Sequence, residues 1–299
     1  MDLGWGLPPA IVGQGEDAMR MLKLLPIFAI AVSLAYAQPE GSFERTLHVT
    51  GTVDLDLTTD AGGIVVIPGA PGAVRIRGIL RASGDWMERG DVKGRIRELE
   101  AHPPIDQSGN TIRVAVHDHT LLKGLAMRLE VEVPRETRLR ARADSGGIEV
   151  RGIQGPIDCK TDSGGIHAAE IDRDVRAAAD SGGIHIRRVN APVYAHTDSG
   201  GIEALEIAGS VDASADSGGI TISQTAPGFV KARVDSGGVR VTLVGSAGYD
   251  VRASAESGRI HADGVSVSGT FSPHEMNGKL RGGGPLVDLH ADSGDVEIR

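Results

Sequence analysis

Six identical tetrapeptides, Asp-Ser-Gly-Gly, each bring together a carboxylate, a hydroxyl and two unhindered backbone amides. Their successive spacings are 18, 18, 18, 18 and 19 residues. They begin at Asp144, Asp162, Asp180, Asp198, Asp216 and Asp235. A row of carboxylates could collect calcium or another hard cation through oxygen ligands, and a serine in this setting could belong to a hydrolytic triad. The third alternative is that the tetrapeptides build turns.

The regularity favours turns. Repetition at one structural position is typical of a corner, and no histidine or second aspartate stands in the sequence setting that a protease triad needs. The Gly-Gly-x-Gly-x-Asp nonapeptide of calcium-binding β-rolls is missing, so calcium remains only an alternative. An aspartate can accept the backbone N–H two residues on. We therefore expect an Asx-turn at each of the six aspartates and no catalytic, metal or cofactor residues.

The elements that must carry these corners can be derived from apolar columns. Four residues after the aspartate the units carry Ile148, Ile166, Ile184, Ile202, Ile220, Val239, Ile260, Leu280 and Val296. A second strand carries valine or isoleucine followed by the small residues Cys159, Ala177, Ala195, Ala213, Ala232 and Ala253. Apolar, β-branched residues two apart predict strands. A break in this period between the sixth and ninth positions predicts a bend.

These units predict an all-β fold: a single-stranded β-solenoid, or β-helix, of about nine 18-residue coils. Three of the nine are weaker copies that begin at Glu256, Met276 and Asp292. Residues 141–299 then form the regular repeats. The pattern leaves open whether the coil is triangular or flattened in cross-section.

Residues 38–140 are less regular and predict a β-rich N-terminal part or cap. Asp60-Ala61-Gly62-Gly63-Ile64 looks like a degenerate first copy of the repeat. Between Asp91 and Glu100, apolar residues at Val92, Ile96 and Leu99 follow helical spacing, which predicts one short helix.

Residues 1–37 have the pattern of an upstream extension and a secretory signal peptide. A basic start follows Met19, an apolar run spans residues 24–34, and Ala35-Tyr36-Ala37 forms a small-x-small cleavage signal. We expect translation to start at Met19 or Met21, and the mature chain to be extracytoplasmic: secreted, periplasmic or at the cell surface. A retained anchor is the alternative.

Two sets of outward residues are candidates for ligand binding. His167 and His185 fall in adjacent coils with Glu149 and Glu203 beside them, a spacing compatible with a transition-metal site or with solvated ladder residues. The corners lengthen at residues 226–229 and 245–250, where Phe229 and Tyr249 could form an aromatic platform for a sugar or a protein. The alternative is that both rings fill a wider corner.

Charge excludes one class of partner. The formal net charge is −9 without basic clusters, which argues against nucleic-acid binding.

Cys159 is the only cysteine, so no intrachain disulfide can form. On the second strand, Asp158 is predicted to face Arg176 and Asp212 to face Lys231 in the next coil.

The order of motifs resembles a known family. A Gly-Asn hairpin at Gly109-Asn110, a Val-x-Val-Pro strand ending at Pro134 and reiterated Ser-Gly-Gly-Ile strands are similar to the bacterial "putative adhesin" family of unknown function, related to auto-transporter adhesin-like head-domain proteins. The resemblance covers roughly residues 43–299. It implies an extracytoplasmic β-solenoid with a surface-binding role, and it implies no catalytic residues.

The expected function is therefore that of a noncatalytic secreted or envelope-associated protein with an adhesin-like binding or structural role. Its partner would be a glycan, a cell-wall polymer or an envelope protein. One alternative is a polysaccharide-acting β-helical enzyme. Another is an envelope scaffold that self-assembles end to end, because the chain stops on Val296-Glu297-Ile298-Arg299 and an open C-terminal solenoid end could pair with another strand.

Overall fold

The alternating apolar residues of each regular repeat form two strands, one in each of two stacked sheets. The computed structural model describes residues 40–83, 90–115 and 119–299. The strands are β1 (Glu40–His48), β2 (Asp54–Ala61), β3 (Ile64–Pro68), β4 (Ala73–Ala82), β5 (Ile105–Ser108), β6 (Thr111–Val114), β7 (Leu125–Val133), β8 (Arg138–Ser145), β9 (Ile148–Arg151), β10 (Ile157–Ser163), β11 (Ile166–Ile171), β12 (Val175–Ser181), β13 (Ile184–Val189), β14 (Val193–Ser199), β15 (Ile202–Ile207), β16 (Val211–Ser217), β17 (Ile220–Gln224), β18 (Val230–Ser236), β19 (Val239–Thr242), β20 (Tyr249–Ala255), β21 (Ile260–Ala262), β22 (Val267–Phe271), β23 (Glu275–Leu280), β24 (Leu286–Ser293) and β25 (Val296–Ile298). The helices are α1 (Val92–Ala101) and α2 (His119–Leu122).

The coils stack in parallel and in register. The strand that follows the corner in each coil belongs to a 12-stranded sheet, sheet A, and the strand that precedes the corner belongs to a 13-stranded sheet, sheet B. Ile166 lies between Ile148 and Ile184 in sheet A, and Cys159 lies between Ala141 and Ala177 in sheet B. These columns are buried between the sheets, where each isoleucine contributes about 1.5–3 kcal/mol. The predicted β-solenoid is confirmed, and its coils are flattened into two sheets.

In four consecutive coils, the predicted bend lies at a residue in the left-handed conformation. Eight residues after the aspartate, Gly152 has φ 66° and Glu170, Arg188 and Glu206 have φ 61°, 55° and 59°. One residue with positive φ turns the strand, so the buried positions shift from a spacing of two to a spacing of three. This explains why the next buried residue is Ile171, at the ninth position after the aspartate, instead of the residue at the eighth position.

The N-terminal part begins with antiparallel pairing and then enters the solenoid. β1 pairs with β4 and β4 with β7, both antiparallel, whereas β3 pairs with β7 and β9 in parallel. The degenerate copy at Asp60 therefore forms a true coil, β2–β3. Helix α1 lies where its spacing predicts and buries Val92, Ile96 and Leu99. The four-residue helix α2 was not predicted.

The C-terminal coils are stacked out of sequence order. The nine coils are β2–β3, β8–β9, β10–β11, β12–β13, β14–β15, β16–β17, β18–β19, β24–β25 and β20–β21. The last coil of the chain is thus inserted between two earlier ones: β24 pairs with both β18 and β20, and β25 with both β19 and β21.

Two expectations for the C-terminus are corrected by this order. The copy at Met276 is not a coil, because β23 pairs antiparallel with β20 and β22; the Asp60 copy supplies the ninth coil instead. The C-terminal strand is also not an open end, because β25 has a neighbour on each side. The alternative of self-association through residues 296–299 therefore lacks the free strand edge that it needs.

The targeting pattern of residues 1–37 lies outside the described residues. Among the residues that are described, no helix combines the length and the apolar character needed to cross a membrane.

Candidate functional site

The Ser-Gly-Gly corners are formed by a stack of glycine backbones. The first glycine of each corner has positive φ, for example 144° at Gly182 and 130° at Gly218. A Cβ on Gly182 would overlap the carbonyl group of Gly164 in the preceding coil. Only glycine satisfies both conditions, the positive φ and the close approach.

The hydrogen bond at this corner differs from the predicted Asx-turn. The amide two residues after each aspartate donates to the serine carbonyl of the next coil: Gly146 N to Ser163 O at 2.8 Å and Gly164 N to Ser181 O at 2.9 Å. Stacking of the coils therefore satisfies the amide that an Asx-turn would hold. The six aspartates do lie at the corner as predicted, and their side chains are exposed.

The aspartates align into a row of nine carboxylates along one edge of sheet B, which we call the acidic row. Its members, in stacking order, are Asp60, Asp144, Asp162, Asp180, Asp198, Asp216, Asp235, Asp292 and Glu256. Neighbouring like charges about 4.8 Å apart repel by about 1 kcal/mol even in water. The row therefore needs nearby cations.

Basic residues stand two positions upstream on the same strands in five of the nine coils and form a basic column. Its charged or ionisable members are Arg142, Lys160, His196, Arg233 and His290. Lys160 Nζ lies 4.0 Å from Asp180 Oδ1, and His196 Nε2 lies 3.0 Å from Asp198 Oδ1. Such exposed pairs contribute only about 0–1 kcal/mol each. The lysine pair offsets repulsion along the row, and the histidine pair does so when its ring is protonated. The sequence comparison covered other positions of this strand but not the one two residues before the aspartate, so this column was not predicted.

A third column, four residues before the aspartates, alternates in sign. The predicted registers of Asp158 with Arg176 and of Asp212 with Lys231 are confirmed, and Lys231 Nζ lies 3.4 Å from Asp212 Oδ2. Arg176 also stacks on the ring of Tyr194, with its Cζ 4.9 Å from the ring centroid. The three columns together give sheet B a charged outer face.

Serine, histidine and aspartate meet twice on this face. His196 contacts Ser214 Oγ through Nδ1 at 2.8 Å and Asp198 through Nε2. His290 makes the same two contacts with Ser254 and Asp292, at 2.8 Å and 2.7 Å. In a hydrolase triad the serine contacts Nε2 and the aspartate Nδ1, which is the opposite arrangement. Neither serine belongs to an Asp-Ser-Gly-Gly tetrapeptide, and the recurrence follows from columns in register.

The histidine pair predicted on sheet A does form. The rings of His167 and His185 stack with centroids 4.8 Å apart and planes 10° apart, and His185 Nδ1 lies 3.0 Å from Glu203 Oε2. Burial, followed by the charge of His185, lowers the pKa of His167. Glu149 instead pairs with Arg151 at 2.6 Å. The four side chains of the predicted metal site therefore do not converge on one point.

The predicted aromatic platform is not assembled. Tyr249 is fully buried, with 0% of its surface exposed, and its hydroxyl lies 3.3 Å from Val244 N and 3.4 Å from Gln224 Oε1. Phe229 is 36% exposed. Its coil is separated from that of Tyr249 by the inserted strand β24. Tyr249 fills the wider corner and cannot present its ring to a ligand, which corrects the binding hypothesis for that residue.

The fold and its charged columns define a β-solenoid repeat protein whose outer faces carry ladders of in-register side chains. A family model described as Toastrack DUF4097 matches residues 92–299. The chain therefore belongs to the Toastrack DUF4097 family, whose function is not established. Membership confirms the family resemblance inferred from the repeats.

Two solved structures are similar to the chain. One is described as a "putative cell adhesion protein" from Clostridium sporogenes, with 12% identity, TM-score 0.29, and coverage of 87% of this chain and 99% of the other. The second is described as a "putative adhesin" from Bacteroides fragilis, with 15% identity, TM-score 0.39, and coverage of 86% and 97%. No curated protein sequence matches the chain significantly.

Proposed function

We propose that this protein is a noncatalytic, extracytoplasmic binding protein with an adhesin-like role. Its ligand-binding surface is the charged outer face of sheet B, and its ligand is an extended envelope polymer with repeating charged groups. The observation that carries the proposal is the register of the acidic row over nine stacked coils, five of which also carry a residue of the basic column. The signal-like pattern of residues 19–37 supports the location.

A repeating surface suits a repeating ligand. Each coil adds one carboxylate to the acidic row, at the strand spacing of about 4.8 Å, and in five of the nine coils the basic column places an arginine, lysine or histidine beside it. An individual exposed contact is weak, but many contacts along one polymer act together, so the avidity exceeds that of any single contact. Binding of this kind depends on the length of the row rather than on one residue.

The experiment compares two quadruple variants of residues 38–299 in a binding screen against glycans, cell-wall polymers and envelope proteins. The first variant, in the row, carries Asp162→Asn, Asp180→Asn, Asp198→Asn and Asp216→Asn. The control removes the same charge from exposed residues outside the row, with Asp106→Asn, Glu136→Gln, Asp263→Asn and Glu275→Gln. We expect the row variant to lose about tenfold or more in affinity, equal to about 1.4 kcal/mol, while the control keeps its affinity. Equal losses in both would contradict a specific role for the row.

A polysaccharide-acting enzyme is the competing function. Such an enzyme needs an acid and a base that converge on one bond of the substrate. The grooves on the described faces are instead lined by paired charges. The groove of about 440 Å³ beside β2 and β8 is an example, because Arg140 there lies 3.6 Å from Asp56. Release of reducing ends from envelope polysaccharides by the purified protein would overturn the noncatalytic proposal.

End-to-end assembly is a second candidate function, but the strand that would pair with another copy is not the C-terminal strand. Among the strands of the described residues, β22 is the last of sheet B and pairs only with β23. Phe271 on this edge is 57% exposed. An unpaired edge with an exposed aromatic ring is a site for pairing with a second copy. Sedimentation should show association that Phe271→Lys abolishes, and a monomer at high concentration would exclude this candidate.

A further inference from the structure

The insertion of the last coil creates a cluster of side chains that are far apart in the sequence. β20 and β24 pair in parallel, with Ser254 beside His290 and Ala255 beside Ala291. The pairing continues into the corner, where Glu256 N donates to Ala291 O at 3.0 Å and Ser257 N to Asp292 O at 2.9 Å. Glu256 therefore lies next to Asp292, at the end of the acidic row.

The geometry of this cluster differs from that of the rest of the row. One ligand atom from each of Glu256, His290 and Asp292 lies within 4.8 Å of the others. Within residues 40–83, 90–115 and 119–299, no other group of three histidine, cysteine or acidic side chains meets this condition. The side chains of His290 and Asp292 are 34% and 45% exposed, so an ion can reach them from solvent.

The longer side chain of Glu256 accounts for the difference. His196 and Asp198 form the same histidine–aspartate contact, with Ser214 on the other ring nitrogen, but their neighbours in the row are the shorter Asp180 and Asp216. Glu256 has one more methylene than the aspartates it replaces in the row. Beside His290 on the opposite side, Arg233 is held by Asp288 at 3.0 Å.

We propose that Glu256, His290 and Asp292 bind a zinc ion. One imidazole nitrogen and two carboxylate oxygens form a donor set that suits zinc, whose bonds to nitrogen and oxygen are about 2.0–2.2 Å long. The imidazole favours a first-row transition ion over calcium or magnesium, which take oxygen ligands. Three protein ligands leave the fourth position to water. Ser254 is a positioning residue, because its contact with Nδ1 orients the ring so that Nε2 faces the carboxylates.

A bound ion would connect two coils that are adjacent in the sheets but separated along the sequence. Glu256 comes from the coil β20–β21, and His290 and Asp292 come from the inserted coil β24–β25. An ion bound only by the folded protein stabilises it by mass action. Zinc thus stabilises the inserted position of the last coil by joining it to the coil β20–β21.

The test is calorimetric titration of tag-free residues 38–299 with zinc chloride, together with thermal melts at each zinc concentration. We expect one site, and a rise in Tm that follows its occupancy. His290→Asn and Glu256→Gln should each weaken binding at least tenfold and remove the Tm shift. His196→Asn is the matched control, since it alters the same contact in a coil without a glutamate, and it should keep both signals.

Three results would overturn the proposal. They are the absence of binding heat, binding that survives His290→Asn, and binding that is lost in His196→Asn or in His185→Asn. Circular dichroism of each metal-free variant shows that its fold is intact, and the altered side chains are solvent-accessible. Calcium chloride in place of zinc should give no Tm shift that depends on His290; a shift equal to that with zinc would contradict the assigned metal class.

Discussion

Gly218 lies directly against the backbone of Gly200 in the preceding coil. A Cβ on Gly218 would overlap the carbonyl oxygen of Gly200, and φ at Gly218 is 130°. The same relationship recurs from corner to corner, so a continuous stack of glycines forms this edge of the solenoid. The stack, rather than the aspartate side chain, dictates the repeated tetrapeptide.

Replacing a first glycine should therefore be much more harmful than replacing a second one. Gly218→Ala introduces both a strained φ and a backbone overlap, and should cost about 2–4 kcal/mol in the free energy of unfolding. Gly219→Ala is the control, because its Cβ would meet the nearest atom, Gly238 O, at 3.5 Å, which is ordinary contact. Urea denaturation measures both. Similar losses in the two variants would argue against the stack.

The penultimate residue should behave as a core residue. Ile298 is 1% exposed, and β25 lies between β19 and β21. Ile298→Ala should cost about 2–5 kcal/mol, and Ile298→Val about 0.5–1.5 kcal/mol. Hydrogen exchange should also show protection of the Arg299 amide, which donates to Val241 O at 2.9 Å. A frayed terminus, with rapid exchange and a loss below about 0.5 kcal/mol, would disprove the inserted position of the last coil.

Replacing Tyr249 with alanine should reduce the stability of the protein much more than replacing Phe229 with alanine. Tyr249→Ala removes a fully buried ring and should cost about 3–5 kcal/mol. Tyr249→Phe removes only the hydroxyl contacts with Gln224 and Val244, at about 1 kcal/mol. Phe229→Ala, at an exposed position, should cost less than Tyr249→Ala. Thermal or urea melts measure the series, and the reverse order would restore Tyr249 as a surface residue.

The pKa of His167 should be lower than that of an ordinary histidine. Burial, then the charge of His185, lowers its pKa from 6.5, and Arg151 acts in the same direction against Glu149. Because the folded protein holds this proton less tightly than the unfolded chain, stability is retained above about pH 6.5 and falls as the pH drops through the folded pKa. NMR titration should show the lowered pKa, and His185→Gln should move it partly back. An unchanged pKa in His185→Gln would show that the rings do not interact.

Cys159 should be chemically inert in the folded protein. The residue is 1% exposed, and burial raises the pKa of its thiol to about 12. Thiol reagents at pH 8 should therefore label the protein only after unfolding. Since its neighbours on both sides in the column, Ala141 and Ala177, are alanine, Cys159→Ala should fold normally and remain unlabelled in denaturant. Rapid labelling of the native protein would mean that the coil opens locally.

The repeats predicted several features correctly because those features depend on local contacts and on a regular period. Apolar residues two apart indicated the strands, the break in that period indicated the bend at Glu170 and its equivalents, and the Asp60 copy was recognised despite its irregular sequence. Each follows from a residue and its nearest neighbours along one coil or between consecutive coils. The Asx-turn was predicted incorrectly because the amide of Gly146 has a better acceptor in the next coil.

The sequence by itself determined the coil, its length, its two strands and the exposed row of aspartates. Only the tertiary structure decided the order in which the last coils stack. Coils that share one apolar pattern can pair with any other coil in register, so adjacency along the chain does not specify adjacency in the sheet. That choice buried Ile298, removed β25 from the edge and brought Glu256 to His290 and Asp292. The proposed zinc site exists for that reason, and no spacing within the sequence indicated it.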